Sequence, residues 1–220
     1  MFVDRMGAGV VLATKLLHLK EKNPVVFALA RGGVPVGFEV AVALNAPLDI
    51  VLVRKLGAPN QPELAIGAVA DGPQPEIVFN TEIVEALRVS EDYIRRSTER
   101  ELAEIARRRA LYQGGRPPVD AKGKTAIVVD DGIATGATVR AALLSLRRRQ
   151  PARLVLAVPV ATIDTIEGLR SEADEIVCLH QPQWMSGVGA FYDDFRQVGD
   201  AEVIDLLDRT TQRGPTKATG

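Results

Sequence analysis

This chain of 220 residues has little cysteine and a net charge close to zero. It contains one cysteine, Cys178, and its 27 basic and 28 acidic residues give a formal net charge of −1. One cysteine cannot form an internal disulfide, and we therefore expect a protein of the reducing cytoplasm. A nearly neutral chain gives no reason to expect nucleic acid or a membrane surface as a partner. The residues beside Cys178 are apolar, which favours a buried, inert thiol over a nucleophile.

Long apolar runs and metal-ligand motifs are missing as well. No run approaches the roughly 20 apolar residues that cross a bilayer. Residues 1–5 do not open a signal peptide, in which a basic start precedes an apolar stretch. The histidines, His18 and His180, have no cysteine or carboxylate at a metal-ligand spacing, which argues against zinc. With 46% hydrophobic and 25% charged residues, the composition is that of an ordinary globular protein.

Short β-branched runs alternate with amphipathic segments along the chain. Strand-like runs occupy 25–30, 48–54, 65–70, 76–79, 125–130, 153–160 and 175–180, and helical segments occupy 4–20, 34–44, 91–113, 138–149, 162–171 and about 201–208. Most strand-like runs are apolar throughout, which is typical of strands covered on both faces in a parallel sheet. The alternation predicts an α/β fold with three layers and a doubly wound, mostly parallel sheet. We expect one domain over 1–209.

Three segments interrupt this alternation. The prolines and the Asn-Gln pair of 57–63 predict a mobile excursion. The helix 91–113 carries opposite charges four residues apart, which favours a solvated surface helix over an anion-binding one. The tail 210–220, rich in Thr, Gly and Lys, is expected to be disordered.

The segment 125–138 is the most informative part of the sequence. Four apolar residues are followed by Asp130 and Asp131, then by a turn of small residues and a helix. Gly132 and Gly136 allow backbone angles that other residues avoid, and small side chains let a ligand approach the main chain. Amide N–H groups at a helix start form an anion site. In open α/β sheets ligands bind beyond the carboxyl ends of the strands, where this turn would lie.

The two acids indicate what the anion is attached to. Carboxylates beside a phosphate repel it unless something separates them. A ribose does so, because its hydroxyls donate hydrogen bonds to the carboxylates while its 5-phosphate lies in the turn. The sequence has neither the Gly-x-x-x-x-Gly-Lys-Ser/Thr motif of P-loop NTPases nor the Gly-x-Gly-x-x-Gly motif of dinucleotide folds. Its acids are adjacent, whereas a haloacid-type phosphatase has them two residues apart. An accidental strand, turn and helix is the remaining alternative.

Residues 128–138 resemble the phosphoribosyl-pyrophosphate (PRPP) signature of type I phosphoribosyltransferases, and the resemblance extends over about 25–195. It is closest to uncharacterised bacterial phosphoribosyltransferase-like proteins. It implies a core of about 25–180 and a hood of about 181–200. The segment of about 81–123, with the charged helix, departs from the compact salvage enzymes and is interpreted as a helical insertion. It also implies that Asp130 and Asp131 meet the ribose hydroxyls. The residues that would hold the 5-phosphate are Ala134, Thr135, Gly136, Ala137 and Thr138.

The same resemblance assigns a pyrophosphate site to two further strand ends. Arg31, Gly32 and Gly33 follow the first strand and are similar to the family's pyrophosphate loop, although paired glycines before a helix are also common as a plain turn. Arg54 and Lys55 end the next strand, where two cations need an anion or solvent. By resemblance they approach the pyrophosphate, with 57–63 as the loop that closes over the site. Magnesium, held mainly by PRPP oxygens and water, would supply the remaining positive charge.

Aromatic residues, only 5% of the chain, gather at 184–195 after the last strand. This segment resembles the hood of purine-salvage phosphoribosyltransferases, where an aromatic side chain stacks on the base and an acid follows. The resemblance implies acceptor binding by Trp184, Phe191 and Tyr192, and general-base action by Asp193. Trp184 could equally form a hydrophobic plug or a subunit contact.

The sequence therefore predicts magnesium-dependent transfer of a 5-phosphoribosyl group from PRPP to a nitrogen acceptor, with release of pyrophosphate. The rival prediction is a non-catalytic protein that binds PRPP or a nucleotide and regulates another protein. A third, a docking protein that uses the helix 91–113, leaves the acids and the turn unexplained. Similar proteins are usually dimers, so a homodimer is expected.

Overall fold

A computed structural model describes residues 1–72 and 75–213 of the chain. The strands are β1 (Pro24–Leu29), β2 (Leu48–Val51), β3 (Val53–Ala58), β4 (Gln61–Ala70), β5 (Glu76–Phe79), β6 (Thr125–Val129), β7 (Arg153–Val160) and β8 (Glu175–His180). The helices are α1 (Arg5–Leu16), α2 (Gly33–Leu44), α3 (Thr81–Ala86), α4 (Glu91–Gln113), α5 (Ala137–Arg148), α6 (Ile163–Leu169) and α7 (Asp200–Arg213). None of the helices in the described part of the chain combines the length and hydrophobicity that crossing a bilayer requires.

A parallel sheet of five strands forms the centre of the fold, in the order β2-β1-β6-β7-β8. The chain moves from β1 outward to β2 and later returns to place β6 on the other side of β1. The strand order therefore reverses between β1 and β6. The carboxyl ends of these two strands border the crevice in which such sheets bind ligands.

Alternate residues of the central strands enter two separate cores. Val26, Ala28 and Ile127 pack with α1, α2 and α7 on one face, whereas Val25, Phe27 and Val128 pack with α5 and α6 on the other. Because successive side chains of a strand point to opposite faces, strands that are apolar throughout need helices on both sides. The predicted three-layer, doubly wound fold is confirmed.

The predicted strand 48–54 is two strands that belong to different sheets. The chain leaves the parallel sheet at Leu52, and β3 then pairs with β4 and β4 with β5 in an antiparallel sheet of three strands. Helix α5 packs against this second sheet through Ala141, which contacts Ala68 and Ala70. The apolar pattern could not reveal the change of sheet, because both halves are buried on at least one face.

The segment 57–63, which was expected to be a mobile loop, has regular strand structure, and its predicted mobility stays a prediction. Residues 58–61 form a tight turn in which Ala58 pairs with Gln61, and β4 continues through the rest of the segment. Asn60 has φ 61°, a left-handed conformation that asparagine tolerates better than most residues. The segment 57–63 is thus the end of a β-hairpin.

Helix α4 occupies the predicted range 91–113, and local signals explain its ends. The Ser90 side chain accepts a hydrogen bond from the Tyr93 amide at the start, and Gly114 ends the helix with φ 53°. Helix α7 continues to Arg213, so the disordered tail cannot begin at 210 as predicted. Residues 214–220 lie outside the described residues.

Candidate functional site

The loops that follow β1 and β6 touch each other at the point where the strand order reverses. The position of a Cβ on Gly33 would be 2.6 Å from the carbonyl oxygen of Val129, and a Cβ on Gly32 would overlap the carboxylate of Asp131. Only glycine fits these two positions without displacing the β6 loop. The peptide bond between Ala30 and Arg31 is cis. The structure therefore brings the predicted pyrophosphate loop into contact with the predicted ribose acids.

Asp130 and Asp131 are adjacent carboxylic acids in a partly buried position. Burial, followed by the negative charge of Asp131, raises the pKa of Asp130 well above its usual range. Burial also raises the pKa of Asp131, and a hydrogen bond from Arg5 opposes that rise. Two carboxylates this close together and shielded from water need a cation or hydrogen-bond donors. Ribose hydroxyls would be such donors.

Arg5, at the first residue of α1, is the partner that the sequence did not reveal. Its Nε lies 2.7 Å from Oδ2 of Asp131, and the arginine is only 9% exposed. Nothing in the spacing of the sequence connects these residues, which are 126 positions apart. In hindsight, the aspartate before Arg5 was a helix-start signal, but it does not indicate which way the arginine points.

The small-residue turn ends at the start of α5, and no side chain caps that helix. Gly136 adopts φ 80°, which lets the chain enter the helix without a Cβ clash. The first amides of a helix have no acceptor within it, so those at 137–138 point out of the start of α5. Ala134 and Thr135 are exposed, and the Ala134 carbonyl accepts a hydrogen bond of 3.0 Å from the Thr165 hydroxyl. Uncapped amides at a helix start can bind an anion.

The three predicted pyrophosphate cations have different surroundings. Lys55 is exposed and lines a cavity of about 720 Å³ together with Thr135, Gly136 and Ala137. Arg54 points elsewhere, with its Nε 2.9 Å from Oε2 of Glu101 on α4.

Arg31 contacts the start of α7. Its Nη1 lies 3.3 Å from Oδ1 of Asp200, and that oxygen also accepts a hydrogen bond of 2.5 Å from the Tyr112 hydroxyl. The structure thus places Lys55 beside the turn at 134–138 and gives Arg31 and Arg54 carboxylate partners.

The aromatic residues of the hood are placed in two ways. Tyr192 is 6% exposed, packs between Phe2 and Phe195, and donates a hydrogen bond of 2.5 Å to the carbonyl oxygen of Asp131. Phe191 is half-buried against the same cluster, whereas Trp184 is 77% exposed. These positions separate Trp184 from the two aromatics with which it was grouped.

Asp193 is exposed, with its amide donating to the carbonyl oxygen of Phe2 at 2.9 Å as part of a short pairing between the N-terminus and the hood. Within the described ranges, no group of three or more His, Cys, Asp or Glu residues could hold a metal ion. A divalent cation commonly binds proteins through one or two carboxylates together with phosphate oxygens and water.

Comparison with known proteins identifies relatives over nearly the whole chain. The family model described as "Phosphoribosyl transferase domain" matches residues 7–196. A protein of Mycobacterium tuberculosis H37Rv, provisionally named a phosphoribosyl transferase, is 43% identical over 210 residues, which are 95% of this chain and 47% of that protein. The chain spans about half the length of the curated relatives it matches.

Solved structures share the fold. The crystal structure of TT1426 from Thermus thermophilus is 42% identical with a TM-score of 0.79, and the match covers 94% of this chain and 97% of that one. A protein from Neisseria gonorrhoeae, solved with bound ppGpp, is 16% identical with a TM-score of 0.50, over 94% of this chain and 91% of that one. The second similarity concerns the fold alone.

Proposed function

This chain belongs to the phosphoribosyl transferase domain family, and we propose that it transfers a 5-phosphoribosyl group from PRPP to a nitrogen acceptor, a nucleobase or a related amine, and releases pyrophosphate. The observation that carries the proposal is the contact between the Asp130-Asp131 loop and Gly32 and Gly33, beside the uncapped start of α5. A sugar between the acids and the turn, with its pyrophosphate toward the glycines, would use all three features at once.

In the proposed reaction the bond between ribose carbon 1 and a pyrophosphate oxygen breaks, and a bond to the acceptor nitrogen forms. Carbon 1 gains oxocarbenium character as the leaving oxygens gain negative charge. Asp130 and Asp131 accept hydrogen bonds from the ribose hydroxyls and hold the sugar still. The amides at 134–138 hold the 5-phosphate. Backbone amides at Gly32 and Gly33, with the cations of Arg31 and Lys55, stabilise the leaving charge.

Arg54 helps to neutralise the leaving pyrophosphate only if its side chain turns away from Glu101. The acceptor nitrogen loses its proton as the new bond forms, and we assign that proton to Asp193, an exposed residue of the hood. Trp184 and Phe191 have surface that an acceptor ring could contact. Tyr192 acts through Asp131, since its hydroxyl is hydrogen-bonded to that residue's main chain.

Magnesium fits this site as a cation carried by the substrate. The described residues provide no cluster of three metal ligands, and Mg²⁺ commonly binds through phosphate oxygens and several waters. When bound, it would neutralise the departing pyrophosphate. The chain's own residues would orient the PRPP that carries it.

Pyrophosphate release from PRPP and Mg²⁺, measured across a panel of purines, pyrimidines and amines, tests the proposal. We expect release that depends on one acceptor class. Asp131→Asn should reduce kcat/KM roughly ten- to a hundredfold, because a hydrogen bond to a charged group is worth about 1.5–3 kcal/mol. Unchanged turnover in that variant would contradict the assigned role of the acid.

A regulatory PRPP- or nucleotide-binding protein is the second candidate. The observation that favours it lies in the hood, where Tyr192 is buried and Trp184 projects into solvent rather than closing an acceptor pocket with it. Thermal stabilisation by PRPP with no acceptor-dependent release of pyrophosphate would select this candidate.

A further inference from the structure

Arg5 is held by three groups from two parts of the chain, the loop after β6 and the hood. Its Nε donates to Asp131 at 2.7 Å, and its Nη1 donates to the carbonyl oxygen of Arg196 at 2.7 Å. Its guanidinium carbon lies 3.8 Å from the centre of the Phe195 ring, a cation–π contact. The planar guanidinium is thus fixed at its edges and on one face.

The start of α1 is also fixed. The side chain of Asp4 accepts a hydrogen bond of 2.7 Å from the Gly7 amide and sets the first residue of the helix at Arg5. Leu12 and Leu16, further along α1, are fully buried in the core shared with α2. Arg5 therefore projects from a rigid element, and the hood limits its movement on the other side.

The hood holds Asp131 twice. The Tyr192 hydroxyl donates to the main-chain oxygen of Asp131 at 2.5 Å, and Phe195 with the Arg196 carbonyl holds the arginine that binds its carboxylate. The carboxylate occupies the space that a Cβ on Gly32 would take, so the β1 loop lies beside it. One acidic side chain thus has neighbours in α1, the hood and the β1 loop.

A buried ion pair is an expensive way to stabilise a fold, because both charges lose their hydration. Apolar pairs of similar size often stabilise a fold as well or better, so the choice of Arg and Asp points to another reason. We propose that Arg5 is a positioning residue for substrate binding, which holds the Asp131 carboxylate in the orientation that accepts the ribose hydroxyls of PRPP. The inference rests on the proposed function, since it needs Asp131 to meet the sugar.

The charged and titratable groups that face Asp131 are Asp130 on its own loop, Arg5 on α1 and Tyr192 in the hood; the β1 loop presents Gly32, which has no side chain. Of these, Arg5 lowers the pKa of Asp131 most, and a hydrogen bond with Asp130 lowers it as well. Removal of the guanidinium should therefore raise that pKa and move the acidic limb of the pH profile to higher pH. If Arg5 served folding alone, its removal would not change the pH at which the acidic limb falls.

The experiment compares Arg5→Gln, Arg5→Lys and the control Lys15→Gln, which removes a charge from an exposed position of the same helix. Calorimetry measures the Kd for PRPP with Mg²⁺, and pyrophosphate release gives kcat and KM against pH. We expect Arg5→Gln to bind PRPP on the order of tenfold more weakly, with its acidic limb moved upward. Arg5→Lys should recover part of the affinity, and the acidic limb of its pH profile should lie near that of the wild type. Lys15→Gln should match the wild type in both measurements.

The outcomes separate this inference from the proposed function. A folded Arg5→Gln that binds PRPP like the wild type overturns the positioning role, even if the wild type is an active transferase. A wild type that binds PRPP but transfers nothing, with weaker binding in Arg5→Gln, overturns the transferase and supports the positioning role. No PRPP binding by the wild type overturns both.

If Arg5→Gln does not fold, Arg5→Lys decides the role of Arg5, because wild-type affinity for PRPP in folded Arg5→Lys would contradict it. Tyr192→Phe is a second test, of the other contact that holds Asp131. It keeps the aromatic packing and removes only the hydrogen bond to the Asp131 main chain. We expect PRPP affinity to fall severalfold, on the order of one hydrogen bond's contribution. Wild-type affinity in folded Tyr192→Phe would contradict the proposal that the hood secures Asp131.

Discussion

Asp130 carries the clearest conflict between stability and function in the molecule. Burial and the charge of Asp131 together raise its pKa above the usual value of 3.8. Below a pH of about 3.8 the Asp130 carboxyl group is mostly neutral in both the folded and the unfolded chain. As the pH rises, the unfolded chain ionises first, so the stability due to this group is lost progressively up to the pKa of the folded state.

Replacing Asp130 with asparagine should therefore stabilise the protein at neutral pH. Each unit by which the pKa is raised corresponds to about 1.4 kcal/mol, and the gain should appear only above about pH 4. Urea unfolding of both proteins between about pH 3 and about pH 8 measures it, and the same variant should bind PRPP more weakly. A stability difference that narrows as the pH rises would show that Asp130 is not held in an unfavourable site.

Single residues also explain what the sequence could reveal about the site. The acids and the turn could be predicted because they are contiguous, and their chemistry depends on local geometry. The partners of Asp131 could not be predicted, because Arg5 and Tyr192 reach it across 126 and 61 positions of the chain. Contacts over such separations follow from the way elements pack, which residue spacing does not encode.

At the level of elements, one buried acid of α4 contacts the antiparallel sheet. Glu101 is 7% exposed and accepts hydrogen bonds from Arg54 on β3, at 2.9 Å, and from Arg100, at 3.1 Å. Ile105, one turn further along the helix, is buried in the core on the same side. Four other ion pairs of α4 are made by arginines on its exposed surface.

Glu101→Gln should consequently destabilise the protein more than its exposed counterpart does. We expect a loss of about 1–2 kcal/mol in the free energy of unfolding, because two cations lose a shielded anionic partner. Glu99→Gln, on the same helix, removes a side chain that is 64% exposed and pairs with Arg95 at 3.5 Å. Its effect should stay below about 0.5 kcal/mol. Equal losses in chemical denaturation would show that Glu101 is an ordinary surface charge.

The elements themselves were predicted unevenly. The apolar runs of β1, β6 and β7 and the capped ends of α4 are strong local signals, and the structure has these elements within a residue or two of the predicted bounds. Strand direction is not a local property. The antiparallel sheet and its tight turn at Pro59 and Asn60 were therefore missed, although asparagine is a residue that suits such turns.

At the scale of the whole molecule, topology brings the site together. The reversal of strand order between β1 and β6 places Gly32, Gly33, Asp130 and Asp131 at one edge of the sheet. The two cores cover these strands on both faces. At the same edge, Arg5 of α1 binds Asp131 and is itself contacted by the hood. The central claim is that this edge grips the sugar with its acids and the 5-phosphate with the turn at 134–138.

The crystal structure of the protein with PRPP and Mg²⁺ tests that claim most directly. The account predicts ribose hydroxyls within hydrogen-bonding distance of the Asp130 and Asp131 carboxylates, the 5-phosphate on the amides at 134–138, and the pyrophosphate beside Gly32 and Gly33. A sugar bound elsewhere, or a phosphate that leaves the start of α5 empty, would contradict it.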